Sequence, residues 1–416
     1  MAGTQIATAL TSKSPGGVMV GIAGRIFFII KFLNISRSLE LEHALQTWKS
    51  NFVPIDFNFM MPSAVEENIP EFPVPLIFEK REIPASFLLN SWDNLVFIVI
   101  ITLILLALKI TVLFIKQERA LKILKKIKVQ VQNYLITQLY AIYGDLIFFI
   151  ILELRVIYLG EWTLGLSFAI ETIFLVFIIV CFTLHFWLLF KYQKVKKESE
   201  MANNKEILQQ FIDYYEGVKL LFTDFKDDSI IQHMFLIFIT ARDMMFSLVV
   251  TTLFELTIGQ VFIFLVLNSS LLVYLVKKRP FKEKFDEIQQ FVFEGIIVAV
   301  SSIEMFAAII ENSELYTHNM QIVLGKLLII INIAFNICAL AFMLLKIFSI
   351  FKEFYSGFKT KRLAKRKSVF PIRGDSSIEM EANDIPNAIK SSQVNDSSML
   401  RLKNGNVDIS VQDIDS

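Results

Sequence analysis

Residues that form covalent cross-links or bind metals are scarce in this chain, which has two cysteines and four histidines among 416 residues. Cys181 and Cys338 both fall inside apolar runs, so the sequence excludes a disulfide framework and a structural zinc site built on cysteines. The histidines show no metal-ligand spacing, and we expect no metal centre and no cofactor. They are His43, His185, His233 and His318.

An excess of charge of one sign is also absent, since 41 basic and 40 acidic residues leave a formal net charge of +1. No overall field therefore favours nucleic acid as a partner. The chain lacks a Walker A loop, an HExxH motif, a GxSxG elbow and a dinucleotide fingerprint in a usable context. It also lacks a voltage-sensor row of arginines and a TVGYG-type filter. We expect no nucleic-acid binding and no enzyme activity.

Apolar residues are abundant instead, at 54% of the chain, with 40 phenylalanines and a mean hydropathy of +0.55. They are clumped into long blocks, and a helix of about 20 such residues, rising about 1.5 Å each, crosses the hydrocarbon of a bilayer. This pattern predicts an all-α fold, a polytopic membrane helix bundle. The seven predicted spans are 94–115, 134–160, 166–190, 234–254, 258–276, 287–311 and 322–350.

An eighth apolar segment, 17–33, is short and carries Arg25 and Lys31. Two interpretations stay open from the sequence: a membrane span, or a helix that lies at the membrane interface.

The loops between the spans alternate in charge, which predicts the orientation of the chain. Loops after the first, third, fifth and last spans are rich in Lys and Arg, whereas the loops 161–165, 255–257 and 312–321 contain neither. Because basic loops stay cytoplasmic, we expect a cytoplasmic C-terminus. The predicted organisation is an N-terminal segment 1–33, an extracytoplasmic segment 34–93, a membrane domain 94–355 with a cytoplasmic linker 191–233, and a basic, then disordered, cytoplasmic tail 356–416.

The basic loops and the start of the tail predict anionic membrane lipids as partners. Within the tail, KRKS (365–368) places Ser368 beside a basic cluster. The cluster is interpreted either as a patch that attracts anionic lipid or as a patch that phosphorylation of Ser368 switches.

Ionisable residues inside the predicted spans are the candidate functional residues. A charge near the centre of a bilayer costs about 2.5–3.5 kcal/mol on insertion scales, so such residues must pair, lie near an interface or serve a function. Acidic residues outnumber basic ones among them, which favours cations. The candidates for an ion path or gate are Asp145, Arg242, Asp243, Glu294 and Glu304.

Neighbouring residues on a helix point about 100° apart, so Arg242 and Asp243 are expected to meet different helices. From depth alone, Asp145 or Glu294 is the expected partner of Arg242, and Lys109 that of Asp243. Gln260 is expected to bond across helices. Charges gathered around a wet cavity would favour permeation, whereas charges locked in dry pairs would favour a structural role.

The stretch YLVKKRPFKEKFDEIQQFVFE (274–294) resembles the RPF/RPY signature of the TRP-like, polycystin-related membrane proteins. This family includes the fungal TRP-like and flavin-carrier group. It also includes the C-terminal membrane region of large ciliate surface proteins. The resemblance implies a cation channel or transport protein, a plasma or ciliary membrane, monovalent or calcium cations as partners, and a homo-oligomer. It assigns Arg279, Pro280 and Phe281 to a signature loop, and includes Arg242, Gln260 and Glu294. A non-conducting membrane anchor or receptor-like signalling module remains the alternative.

Overall fold

The chain is described by a computed structural model. It describes residues 16–47, 57, 60–63, 74–155, 162–311, 313 and 317–369. Most of the predicted disordered tail lies outside the described residues, as does part of the segment 34–93.

The described residues form helices joined by short loops. Seven of these helices are long and apolar enough to cross a membrane, so the predicted all-α polytopic fold is confirmed and the chain is a multi-pass integral membrane protein. In chain order the seven are α4 (Phe87–Phe114), α5 (Glu118–Leu154), α6 (Trp162–Met201), α9 (Phe235–Thr252), α10 (Thr257–Lys278), α11 (Lys284–Glu311) and α12 (His318–Val369).

Shorter helices lie before and between the membrane helices. They are α1 (Gly16–Ile30), α2 (Leu39–Thr47), α3 (Leu76–Glu79), α7 (Lys205–Tyr214), a 3₁₀ helix (Glu216–Leu221) and α8 (Ile230–His233). The predicted cytoplasmic linker 191–233 therefore begins within α6, which continues to Met201.

The seven membrane helices divide into central and peripheral ones. The apolar part of α5 is 83% buried and that of α9 is 67% buried, whereas α4, α6 and α12 bury 17–22% of theirs. The peripheral helices present large apolar side chains outward, such as Leu113 and Phe114 on α4. These faces are suited to lipid, while α5 and α9 provide the interior surface on which buried polar groups gather.

Helix α1 covers most of the segment 17–33, for which the sequence leaves a membrane span and an interfacial helix open. Its 15 residues extend about 22 Å, less than the roughly 30 Å of hydrocarbon. An interfacial helix would leave one face exposed, yet the described side chains of α1 are almost all buried, against α5, α9 and α11. On another side, Phe27 contacts Phe335 of α12, with ring centroids 5.0 Å apart. The helix is inserted among the membrane helices.

The chain divides into two compact units, Met1–Gly357 and Phe358–Ser416. The first contains the helices α1–α11 and most of α12. Of the second, only the end of α12 is described.

Candidate functional site: a buried charge network

Arg25 of α1 lies at the centre of the bundle with no exposed surface. Its Nε bonds to Asp145 of α5, and its Nη1 lies 2.6 Å from Asp243 Oδ1 of α9. Its Nη2 donates to Ser247 Oγ at 2.8 Å. One guanidinium therefore joins three helices through two carboxylates and a hydroxyl, with the fixed fork geometry that suits arginine to buried ion pairs.

Gly144 is the residue that allows this close approach. A Cβ added at Gly144 would overlap both Arg25 Nη1 and Asp243 Oδ2. Ser247 Oγ also donates to the Gly144 carbonyl, at 2.7 Å. The guanidinium of Arg25 therefore lies almost against the backbone of α5.

Arg242 points to a different side of α9 from Asp243. Its Nη1 bonds to Glu294 of α11 and lies 3.2 Å from Asn268 Oδ1 of α10. Gln290 donates to the other oxygen of Glu294 at 2.8 Å, and Asn268 donates to Ser301 at 2.7 Å.

These contacts decide the expected pairings. The two neighbours Arg242 and Asp243 do meet different helices, and Glu294 is the partner of Arg242. Lys109 as the partner of Asp243 is wrong, because Lys109 lies on the exposed face of α4 and Arg25 fills that position. We call Arg25, Asp145, Arg242, Asp243 and Glu294 the buried charge network.

The buried charge network is not fully satisfied. Among the described residues, Asp145 Oδ2 and Asp243 Oδ2 have no hydrogen-bond partner, although their side chains are 1% and 0% exposed. Arg242 Nε and Nη2 are likewise without a partner. If all five groups are ionised, three carboxylates and two guanidiniums leave one negative charge within the network, and the charge of Lys31 also acts on Asp145. Isolated charges and unpaired polar atoms are costly to bury, so these four atoms are an energetic cost to the fold.

Glu304 is separate from the buried charge network. It is buried on α11, its Oε1 has no partner among the described residues, and the charge of Arg37, in the loop after α1, acts on it. Arg37 also donates to the carbonyls of Ile30 and Lys31, the latter at 3.2 Å, and so satisfies the C-terminal end of α1.

The signature loop holds the fifth and sixth membrane helices to the linker. Arg279 ends α10 in the left-handed conformation, with φ 43°, and its Nε lies 3.7 Å from Glu287 Oε1. Pro280 O accepts from Lys226 N at 2.6 Å. Phe281 is buried and contacts Phe235 of α9, with ring centroids 5.0 Å apart. The loop is thus a fixed packing element at the end of the bundle.

Asp224 lies beside this loop and outside the membrane helices. Its carbonyl accepts from Lys282 N at 3.2 Å, and Lys282 Nζ donates to Thr223 O at 2.6 Å. Burial raises the pKa of the Asp224 carboxyl to about 6, and the charge of Asp286 acts in the same direction.

Two other candidates fall outside the buried charge network. Gln260 is fully buried and donates to Val250 O of α9 at 3.3 Å, a contact between neighbouring helices. Ser368 lies near the end of α12, and its side chain is outside the described residues.

Sequence reasoning missed Arg25 as a site residue. In the sequence, the charge of Arg25 served only as an argument against a membrane span over 17–33. The signal available was the excess of acidic over basic residues within the seven predicted spans, which required a cation from elsewhere in the chain.

No protein-family model, no curated protein and no solved structure matches this chain.

Proposed function

We propose that this multi-pass membrane protein moves or gates cations, and that the buried charge network is part of the path. The TRP-like relationship belongs to the same proposal. It rests on the Arg-Pro-Phe sequence at 279–281, within the stretch 274–294.

The observation that carries the proposal is the pair of unpartnered carboxylate oxygens, Asp145 Oδ2 and Asp243 Oδ2, around Arg25. A purely structural ion pair is stable when its remaining lone pairs are satisfied. Within the described residues, two acceptors remain without a hydrogen bond in the interior of the bundle, in a network whose own groups sum to one negative charge. Such acceptors favour a monovalent cation or a proton as the transported species.

Arg25 acts in this proposal as a cation tethered to the chain. It comes from a helix too short to span the membrane, and its guanidinium occupies the space between the two carboxylates. A permeating cation competes with this guanidinium for the same oxygens. The arrangement is therefore that of a closed state, and displacement of α1 opens the path.

The test is cation flux into liposomes that contain the purified full chain, with Arg25→Gln and Asp145→Asn as variants. Arg25→Gln removes the tethered cation and is expected to raise flux. Asp145→Asn leaves two carboxylates to balance two guanidiniums, so the fold is expected to persist. Cation flux is expected to fall, because one carboxylate of the path is lost. Asp228→Asn, at an exposed linker position, is the matched control and is expected to leave flux unchanged. Equal flux in all four proteins would overturn the proposal.

A non-conducting anchor or receptor-like module is the second candidate, and the interhelical pairs favour it. Arg25 joins α1 to α5 and α9, and Arg242 joins α9 to α11, as fixed pairs that set helix register would do. Under this alternative, Arg25→Gln and Asp145→Asn lower the melting temperature. Neither the unaltered chain nor any variant then conducts cations.

A further inference from the structure

A cavity of about 350 Å³ lies apart from the buried charge network, where α4 ends and α5 begins. Three elements line it: the last turn of α4, the basic first half of α5, and the linker from Asp213 to Val218. The side chains that matter below are Val112, Lys125, Lys128, Gln132 and Tyr214.

The cavity opens at the edge of the lipid-facing surface. Val112 lines it, and the next two residues of α4, Leu113 and Phe114, are 77% and 78% exposed. Tyr214 on the opposite wall is 82% exposed, and tyrosine is enriched at membrane–water interfaces. An apolar rim and a basic wall thus meet at this cavity, which is the combination that a lipid headgroup site needs.

The linker wall of the cavity is held in place. The side chain of Gln132 lies so close to Gly217 that a Cβ there would overlap it. Lys191 of α6 donates to the Tyr215 hydroxyl at 3.3 Å. The cavity is therefore a feature of the packed structure rather than a gap beside a loose loop.

The charges of the cavity are available to a ligand. In the described part of the chain, Lys125 and Lys128 have no ion-pair partner, whereas Lys122 on the same helix pairs with Glu118 at 3.0 Å. The acidic residues of the lining, Asp213 and Glu216, are exposed, and Asp213 accepts from Gln209 at 2.7 Å.

We propose that this cavity binds the headgroup phosphate of an anionic phospholipid, with Lys125 and Lys128 as the phosphate ligands and the acyl chains along the exposed apolar face of α4. Lysine binds phosphate as a compact point charge, and the side chain carries its apolar stem along a surface. The proposal does not depend on cation transport.

The experiment titrates phosphatidylserine, and in parallel phosphatidylcholine, into the detergent-purified full chain and follows the melting temperature. Phosphatidylserine is expected to raise the melting temperature of the unaltered chain with a saturable dependence. Lys125→Gln/Lys128→Gln should weaken the apparent affinity about tenfold or more, as expected for the loss of a charge-assisted bond.

The matched control is Lys122→Gln/Lys126→Gln, which removes the same charge from the same helix outside the cavity lining. We expect it to change the affinity by less than about twofold, because exposed charges in a high dielectric interact weakly. Equal weakening by both double variants would overturn the proposal in favour of diffuse attraction between lysines and lipid. Equal stabilisation by soluble glycerophosphoserine would overturn the lipid assignment in favour of a soluble phosphate ligand.

Val112→Trp provides a second test, because it fills the cavity and leaves every charge in place. It is expected to abolish the phosphatidylserine-dependent rise in melting temperature. An unchanged rise in a folded Val112→Trp protein would contradict binding inside the cavity, even if Lys125→Gln/Lys128→Gln failed to fold.

Discussion

Arg25 connects the parts of the bundle that the sequence keeps far apart. Its partners Asp145 and Asp243 lie 120 and 218 residues away along the chain. The geometry depends on Gly144, whose missing side chain makes room for the guanidinium against α5. The network is therefore set by one glycine as much as by its charged residues.

Gly144→Ala is expected to destabilise the protein, because the new methyl group overlaps Arg25 Nη1 and Asp243 Oδ2. Overpacking of a close-packed interior costs about 1–3 kcal/mol. Gly295→Ala is the matched control, since it lies mid-helix beside Glu294 with nothing near an added Cβ. Alanine there should be neutral or stabilise by about 0.5–1 kcal/mol. Thermal unfolding in detergent measures both, and equal effects would contradict the packing account.

The pair Arg242–Glu294 gives a second prediction at this scale. Removing one partner of a buried pair leaves an uncompensated charge and costs about 3–5 kcal/mol. Arg242→Ala is thus expected to destabilise the protein more than the double variant Arg242→Ala/Glu294→Gln does. Unfolding free energies of the two singles and the double would show this. Strictly additive losses would mean that the two side chains are not coupled.

At the scale of elements, α1 is a buried insert rather than a peripheral segment. It lies among α5, α9, α11 and α12, so its removal would leave apolar surfaces unpaired at the centre of the bundle. Sequence patterns could predict a helix over 17–33, because the run is apolar and uninterrupted. They could not predict its burial, since that depends on four helices that follow much later in the chain.

The linker carries a pH-dependent element in Asp224. The folded-state pKa of about 6 exceeds the usual 3.8, so the folded protein binds the extra proton first. Stability should therefore rise as pH falls from about 7 to 4, by at most about 3 kcal/mol, because each pKa unit is worth about 1.4 kcal/mol. Asp224→Asn should remove this part of the dependence, measured as melting temperature against pH.

The exposed neighbour Asp228→Asn serves as the control for that series. An identical pH dependence in the unaltered chain and in Asp224→Asn would show that the buried carboxyl of Asp224 does not contribute.

At the scale of the whole molecule, hydropathy alone predicts the class of fold. All seven predicted spans correspond to membrane-length helices, because each apolar block is longer than a soluble core helix requires. The arrangement of these helices was not predictable in the same way. Helices α5 and α9 are central because their faces carry many of the buried polar groups. Only the folded contacts reveal the partner of each group.

The candidate site was accessible from sequence in part. Asp145, Arg242, Asp243 and Glu294 stood out because ionisable residues are rare in apolar helices. Depth and helical geometry limited the partner of Arg242 to Asp145 or Glu294, and only the folded contacts identify Glu294. Arg25 and Gly144 did not stand out, because one lies outside the seven spans and the other acts through the absence of a side chain.

The most direct test of the central claim is single-channel recording of the purified full chain in planar bilayers, with Arg242→Ala and Asp243→Asn for comparison. We expect cation-selective currents that both substitutions alter while the proteins remain folded. Silence from all three folded proteins across voltage, membrane tension and calcium concentration would contradict it, and would leave the buried charges with the role of holding the helices together.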